Sequence, residues 1–310
     1  MESFAILIPT RNRPKELSIL LRSIQKLTRL PRQVVVVASG QNVAHILDDF
    51  NKSLEITYLH TAVKGQIAQK RIGVELVSKE VDWCLFLDDD LILEEHALDL
   101  ALSAARSHKK RDIIGIGLSL PPSSRSLNAP KLNKKLLELL KLSSSQPGRV
   151  LRSGHATSYL QETSITETQW LNGASMWKLE HAKNYGIGLP STPYAACEDL
   201  IFSYPLSKQG TLIYVPESRL RFQDSQLSDF DSLEVLRAAS YWRYYFISNH
   251  KELSFFWFSL SQIVRSLYAI RKAKNKRLGF LLDLLRLHVN LVRSHVTGVS
   301  PNVLLNELNH

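Results

Sequence analysis

Short apolar runs separated by helical patterns fill the first 120 residues. Phe4-Ala5-Ile6-Leu7-Ile8 reads as a buried strand stopped at Pro9, because an unbroken apolar run bounded by a turn residue suits a strand covered on both faces. From Pro14 onward, Leu17, Leu20, Leu21 and Ile24 recur at helical spacing, and a proline in the first turn removes an amide that would have no partner anyway. Val34–Val37 predicts a second strand running into Ser39-Gly40, Ala44–Phe50 a helix, Ile56–Leu59 a third strand and Ile67–Val77 a helix. Trp83–Leu87 predicts a fourth strand that ends abruptly in Asp88-Asp89-Asp90, followed by a helix from Glu94 to about His108 and a fifth strand over Ile113–Leu118. This alternation predicts an α/β fold with a mostly parallel sheet and helices on both faces. Ligands of such sheets gather beyond the carboxyl ends of the strands, where Thr10-Arg11-Asn12-Arg13, Ser39-Gly40-Gln41 and the triple aspartate fall.

The pattern then changes. Residues from Pro121 to about Ser164 are rich in Pro, Ser, Lys and Arg, with one short helix expected over Leu132–Leu142; an insertion or mobile loop beside the site is the reading. Trp170–Trp177 returns to strand-like character, Glu198–Ser207 predicts a helix, and Thr211–Val215 a strand stopping at Pro216. From Asp229 onward the periodicity is helical: a helix carrying Leu233, Leu236, Tyr241, Tyr244 and Tyr245, then Phe255–Ile270, then Leu278–Val296. No repeat recurs at a fixed period.

Composition narrows the class. With 310 residues, 44% of them hydrophobic, the chain can bury one large core, or one core with an appended helical region. Cys84 and Cys197 lie far apart and in no metal-ligand spacing, which argues against a disulfide framework and for a reducing compartment. Met1-Glu2-Ser3-Phe4 leads straight into the first strand, so no secretory leader is expected. The greasiest stretch, Leu253–Ile270, is broken by Gln262, Arg265 and several serines and falls short of a spanning helix. A net charge of +10 fits nucleic acid, an anionic membrane surface or phosphate-bearing substrates, and does not choose among them. The absence of an RNP-like sequence, with the aromatics on helices, speaks against nucleic acid.

The sharpest chemical feature is Asp88-Asp89-Asp90. Three neighbouring carboxylates at a buried strand end repel one another, so a cation is expected nearby. Hard cations such as Mg²⁺ or Mn²⁺ take carboxylate oxygens and share their shell with substrate phosphates. On extended backbone Asp88 and Asp90 would face the same side. The plain alternative, capping of the next helix, needs only one aspartate. Cys197-Glu198-Asp199 opens a helical run, where acids complement the helix dipole; beside a metal site a carboxylate there is also a candidate general base. In Lys64-Gly65-Gln66-Ile67-Ala68-Gln69-Lys70-Arg71-Ile72-Gly73 the glycines permit close backbone approach, and Lys70 and Arg71 either reach a diphosphate or form a solvated face.

In this order the pieces resemble a family 2 glycosyltransferase with the GT-A fold, over Phe4 to about Phe222. Ile8-Pro9-Thr10-Arg11-Asn12-Arg13 resembles the opening strand and nucleotide loop, and Gly65 to Gly73 the G-x-x-x-x-R-N-x-G segment, with Lys70 and Arg71 in place of Arg and Asn. Leu87-Asp88-Asp89-Asp90 resembles the D-x-D motif, Asn172-Gly173-Ala174-Ser175-Met176 the acceptor-side strand, Glu198-Asp199 the E-D motif, and Val215-Pro216-Glu217 the strand end after it. The resemblance implies a Rossmann-like, mostly parallel sheet flanked by helices with a C-terminal helical extension. It places a catalytic domain at 1–225 (a nucleotide-sugar half 1–119, an insertion 120–168, an acceptor half 169–225) and a helical region at 226–310.

It further implies an inverting transfer from a nucleoside-diphosphate sugar to a hydroxyl on a glycan or lipid-linked acceptor, in surface polysaccharide or glycolipid synthesis. Asp88 and Asp90 would hold Mn²⁺ or Mg²⁺, with Asp199 as base and Glu198 positioning the acceptor beside Gly173. Pro9, Thr10, Arg11, Arg13, Ser39, Gly65, Lys70, Arg71, Asp88 and Asp89 would line the donor. Two departures stand out. Ala38-Ser39-Gly40-Gln41 lacks the aspartate that touches the base in many members. Leu220-Arg221-Phe222-Gln223 lacks the histidine that serves as a third metal ligand, leaving Gln223 or a water in that place, with Arg221 a candidate phosphate partner. The rival readings are a non-catalytic sugar-nucleotide or carrier-lipid binding subunit, and a nucleotidyltransferase, whose G-x-G-x-R loop is missing here.

Trp242, Tyr244, Tyr245, Phe246 and Phe255–Phe258 stand among Arg243, Lys251, Arg265, Arg271, Lys272, Lys274, Lys276 and Arg277. Such mixtures suit a lipid interface, or the aromatics fill a helical core. Peripheral contact with the inner, cytoplasmic face of the membrane is the expectation.

Overall fold

The computed structural model describes residues 2–108, 111–121, 138, 143–190, 192, 195–223, 233–272 and 277–309. The expected helix over Leu132–Leu142 lies outside these residues apart from Glu138, as do Lys274 and Lys276. The chain divides into two compact units. The first comprises Met1–Ala129, Ser158–Leu189 and Phe202–Gln226, the second Pro130–Thr157, Pro190–Ile201 and Leu227–His310.

The first unit is built on a nine-stranded sheet among the described residues. In chain order the strands are β1 (Phe4–Arg11), β2 (Gln33–Ser39), β3 (Ile56–Thr61), β4 (Trp83–Phe86), β5 (Leu91–Leu93), β6 (Ile113–Ser119), β7 (Thr166–Thr168), β8 (Ser175–Lys178) and β9 (Thr211–Phe222). They lie in the order β3-β2-β1-β4-β8-β6-β9-β5, with β7 also on β9. Strands β1, β2, β3, β4, β6 and β9 point one way and β5, β7 and β8 the other, so the sheet is mostly parallel, as expected.

Helices α1 (Pro14–Gln25), α2 (Ala44–Leu47), α3 (Gln66–Leu76) and α4 (Ala97–Ser107) connect the early strands. On one face Phe4, Ile6 and Ile8 of β1 pack with Leu17, Leu20, Leu21 and Ile24 of α1 and with Leu98, Ala101 and Leu102 of α4. On the other face α3 lies close against the sheet because Gly73 has no side chain: a Cβ there would stand 2.2 Å from Leu7 Cδ1 and 3.0 Å from Val37 Cγ2. Beyond β4, Phe86, Trp177, Tyr185 and Phe202 form an aromatic cluster with ring centroids 4.8–6.1 Å apart, the spacing at which ring edges meet faces.

Three elements differ from expectation. Strands β5 and β7 are three residues each, too short to leave a periodic signal. The region Trp170–Trp177 supplies a strand only from Ser175 to Lys178. Most consequentially, β9 does not stop at Pro216. Its register on β6 jumps between Leu118–Val215 and Ser119–Arg219, and the strand resumes to pair Leu220–Phe222 with β5. Pro216 sits in the bulge, where no ladder amide is required of it.

In the second unit the described residues form α7 (Leu233–Ser248), α8 (Phe255–Lys272), α9 (Arg277–Thr297) and α10 (Pro301–Asn306), following α5 (Leu179–Ala182) and α6 (Glu198–Leu206) in the chain. The residues of α6 from Phe202 onward belong to the first unit. Of the C-terminal aromatics Trp242, Tyr244, Phe246 and Phe258 are buried, Tyr245, Phe255 and Trp257 half-buried, and Phe256 is 68% exposed. Trp242 Nε1 donates to Thr192 Oγ1 (3.2 Å), and the His295 ring stacks on Phe255 at 3.8 Å. The four buried rings belong to a helical core. Ser300 caps α10 by accepting the Asn302 amide, with Pro301 at its first position. Among the described residues no helix is long and apolar enough to cross a membrane.

Candidate active site

The ends of β1, β2 and β4 converge with the start of α3, and most of the expected donor residues meet there. Past β4 the backbone does not stay extended. The Leu91 amide donates to the Asp88 carbonyl (3.3 Å) and closes a turn over Asp88–Leu91, so the three aspartates face different partners rather than alternating across a strand.

Asp89 turns inward and is 5% exposed. Its Oδ2 accepts from Thr10 Oγ1 at 2.6 Å and its Oδ1 from Arg13 Nη1 at 3.1 Å. Burial pushes its carboxyl up to about 6, because desolvation outweighs the hydroxyl and guanidinium that favour the anion. Asp89 thus anchors the turn from below. Asp90 is more open and shares Arg13 at 3.2 Å; burial first, and the neighbouring Asp88 second, raise its carboxyl above the ordinary range.

Asp88 is held through Oδ1 alone, by Gln66 Nε2 at 2.5 Å and Lys70 Nζ at 3.3 Å. Lys70 is 1% exposed. Its ammonium lies 6.0 Å from the Phe86 ring centre and 5.8 Å from that of Tyr185, so its compensation is one carboxylate and two π faces. The basic pair therefore splits: Lys70 points into the fold beneath Asp88, and Arg71 is exposed. Asp88 Oδ2 lies 3.6 Å from where a Cβ on Gly173 would stand, which brings that glycine to the site.

The loops around the turn are fixed by backbone requirements. Gly65, the residue before α3, has φ 106°, a conformation that strains any residue with a Cβ. Gly40 has φ 77°, and a Cβ there would collide with Asn12 Oδ1 at 2.2 Å; the same oxygen accepts the Gln41 amide at 2.8 Å. Pro9, Thr10 and Ser39 are buried at the strand ends and Arg11 is exposed. Arg221 is exposed as well.

Three glutamines organise the site, and for two of them, Gln66 and Gln69, the sequence suggests no role. Gln66 grips Asp88 as described. Gln69 Nε2 bridges the carbonyls of Thr10 (2.9 Å) and Val37 (2.8 Å), tying the ends of β1 and β2 together. Their spacing with Lys70 on one face of α3 is the signal that could have found them. Gln223 had been weighed only as a substitute metal ligand. Its amide nitrogen lies 3.0 Å from the Asp89 carbonyl, 3.2 Å from that of Leu91 and 3.0 Å from that of Glu16, and its backbone N–H donates to Asp90 O at 2.8 Å. Among the described residues its Oε1 is buried with no hydrogen-bond partner.

Glu198 and Asp199 open α6 within the second unit, after Cys197, whose φ of 54° is left-handed. Asp199 Oδ1 accepts the Leu200 amide at 2.8 Å.

An α/β sheet of this order with its polar turn at the strand ends defines the GT-A fold. The chain belongs to glycosyl transferase family 2, whose model matches residues 5–162. No curated protein matches the sequence. Among solved structures, S. aureus TarS 1-349 in complex with UDP-GlcNAc shares 14% identity at a TM-score of 0.58, over 96% of this chain and 83% of that one. The mannosyltransferase PcManGT from Pyrobaculum calidifontis, in complex with GDP-Man and Mn²⁺, shares 13% at 0.55, over 98% and 78%. GalNAc-T7 with UDP, GalNAc and Mn²⁺ shares 13% at 0.57, over 97% and 58%. Likeness at such identities speaks for the fold alone, and the family match speaks for glycosyl transfer.

Proposed function

We propose that the chain moves a sugar from a nucleoside-diphosphate sugar to a hydroxyl of a glycan or lipid-linked acceptor, with inversion, at the cytoplasmic face of a membrane. The observation that carries this reading is the aspartate turn. Asp89 is spent on structure, while Asp90 and the free oxygen of Asp88 remain for a ligand. We keep 1–225 as the catalytic domain and 226–310 as its helical extension.

A divalent cation fits the residues present. Among the described residues no three His, Cys, Asp or Glu side chains converge on one point, so the protein's share of the shell is small. The donors at hand are hard oxygens: Asp90, Asp88 and, on the side chain that holds the Asp89 carbonyl, Gln223 Oε1, buried with no hydrogen-bond partner among the described residues, which suits Mn²⁺ or Mg²⁺ completing its shell with diphosphate oxygens. Such an ion would offset the charge that develops on the departing nucleoside diphosphate.

The chain's own residues do the rest. Arg13 stays cationic over the turn and Gln66 and Lys70 fix the angle of Asp88. Thr10, Ser39, Gly65 and Arg11 bound the nucleotide. Gly173 leaves room beside Asp88 for the acceptor. Asp199 takes the acceptor proton as the hydroxyl oxygen bonds to the anomeric carbon and the bond from that carbon to phosphate breaks, and Glu198 orients the hydroxyl. Incubation with UDP- and GDP-sugars with and without Mn²⁺ tests the reading. Metal-dependent release of nucleoside diphosphate is expected; saturable donor binding without turnover would instead favour a binding subunit.

A further inference from the structure

Helix α9 has two apolar faces, and one of them is bare. Leu284, Leu287 and Leu291 are buried on the inner face. On the outer face Leu282, Leu285, Val289, Val292 and Val296 are exposed, Val289 by 63% and Val296 by 78%. Single exposed aliphatics are ordinary, but an aligned row of them marks a contact surface. At about 100° per residue these five side chains fall within an arc of about 80°, with Arg293 and Arg286 about 20–40° beyond one edge.

The alternating three- and four-residue spacing would also suit a second helix in a coiled coil. The flanking charge decides against a second copy of this chain. In a symmetric pair the edge arginines would meet each other or the histidines His288 and His295, and the helix's one carboxylate, Asp283, is already 3.2 Å from Arg286. An anionic surface has the complementary charge. The segment that leads into α9, Arg271-Lys272-Ala273-Lys274-Asn275-Lys276-Arg277, holds five cations in seven residues, and a basic cluster joined to an amphipathic helix is the sequence form of an anionic-lipid contact.

We propose that the outer face of α9 docks on an anionic bilayer, with Leu282, Leu285, Val289, Val292 and Val296 in the headgroup–acyl boundary and the arginine edge on lipid phosphates. The proposal deepens the peripheral-membrane part of the reading above, and rests it on an aliphatic stripe.

Co-sedimentation of the full chain with phosphatidylcholine vesicles, with and without phosphatidylglycerol, tests it. Binding should rise about tenfold with the anionic lipid and fall with added salt. It should be lost in Val289→Asp/Val296→Asp and weakened in Arg286→Gln/Arg293→Gln. A thermal shift by UDP or GDP with Mn²⁺, read on the same samples, should be unchanged in all variants. That shift reports on donor binding separately, so an unsubstituted chain that keeps the shift but does not bind anionic vesicles refutes only this inference. Failure to bind anionic vesicles, binding indifferent to lipid charge, or a dimer in light scattering that Val289→Asp/Val296→Asp splits would each overturn it.

Discussion

The two halves of the sheet solve different problems. In β3-β2-β1-β4 every strand runs parallel, β1, β2 and β4 are almost wholly buried, and helices cover both faces. In β8-β6-β9-β5 the directions mix and β9 is bulged. The first half is a rigid rack whose ends present Thr10, Ser39 and Asp88 at fixed spacing. The second is adapted to reach back, delivering Gln223 under the same aspartate turn. The site is therefore gripped from both sides, and uniform packing on one side permits irregularity on the other.

The sharpest way to break this picture is chemical. Asp90→Ala and Asp199→Ala should each lower kcat/KM by on the order of 10³-fold. Only Asp90→Ala should also abolish the Mn²⁺-dependent part of donor binding in calorimetry. Full turnover in Asp199→Ala would remove it as the base.

Next in size is stability on the rack side. Asp88→Ala leaves the buried Lys70 ammonium without its carboxylate; because the Asp88 side chain is itself 39% exposed, the cost is about 2 kcal/mol, below that of a wholly buried pair. Asp90→Ala leaves only Arg13, whose side chain is 45% exposed, and should cost under about 1 kcal/mol, as exposed pairs do. Urea unfolding of the two variants should separate them; equal losses would mean that the rings of Phe86 and Tyr185 hold Lys70 unaided.

Gly73→Ala should lower stability by about 1–3 kcal/mol through overpacking against Leu7 and Val37, visible as a reduced melting temperature. If it is neutral, α3 is less tightly seated than the geometry implies. The smallest effect concerns the reaching side. Gln223→His should tighten apparent Mn²⁺ affinity by about tenfold if Oε1 occupies a ligand position, histidine being the stronger donor. Looser metal binding in Gln223→His would mark Gln223 as a clamp on the turn and nothing more.

Much of the rack was legible in the sequence, for a physical reason. A strand covered on both faces must be apolar throughout, so Phe4–Ile8 and Val34–Val37 announce themselves. The second half left a weaker trace because β5 and β7 owe their existence to β9 rather than to their own residues. Pro216 misled because a proline ends a strand in most settings but not in a bulge. At the site the aspartates stood out by charge. Gln66 and Gln69 did not, since an uncharged amide on a helix gives no hint of the distant carboxylate or carbonyl that it meets. Nor could spacing show that Asp89 faces inward while Asp88 and Asp90 do not; that depends on a turn closed by Leu91.

The kink at Pro216 also works as a counter. Residues 216–218 are the slack between the Val215 and Arg219 pairs on β6, and their number sets which side chain arrives under the aspartate turn. Adding one residue to this stretch would shift the parity of all that follows and swing Phe222 toward the place that Gln223 holds. Homologous chains should therefore tolerate changes of residue here far more readily than changes of length.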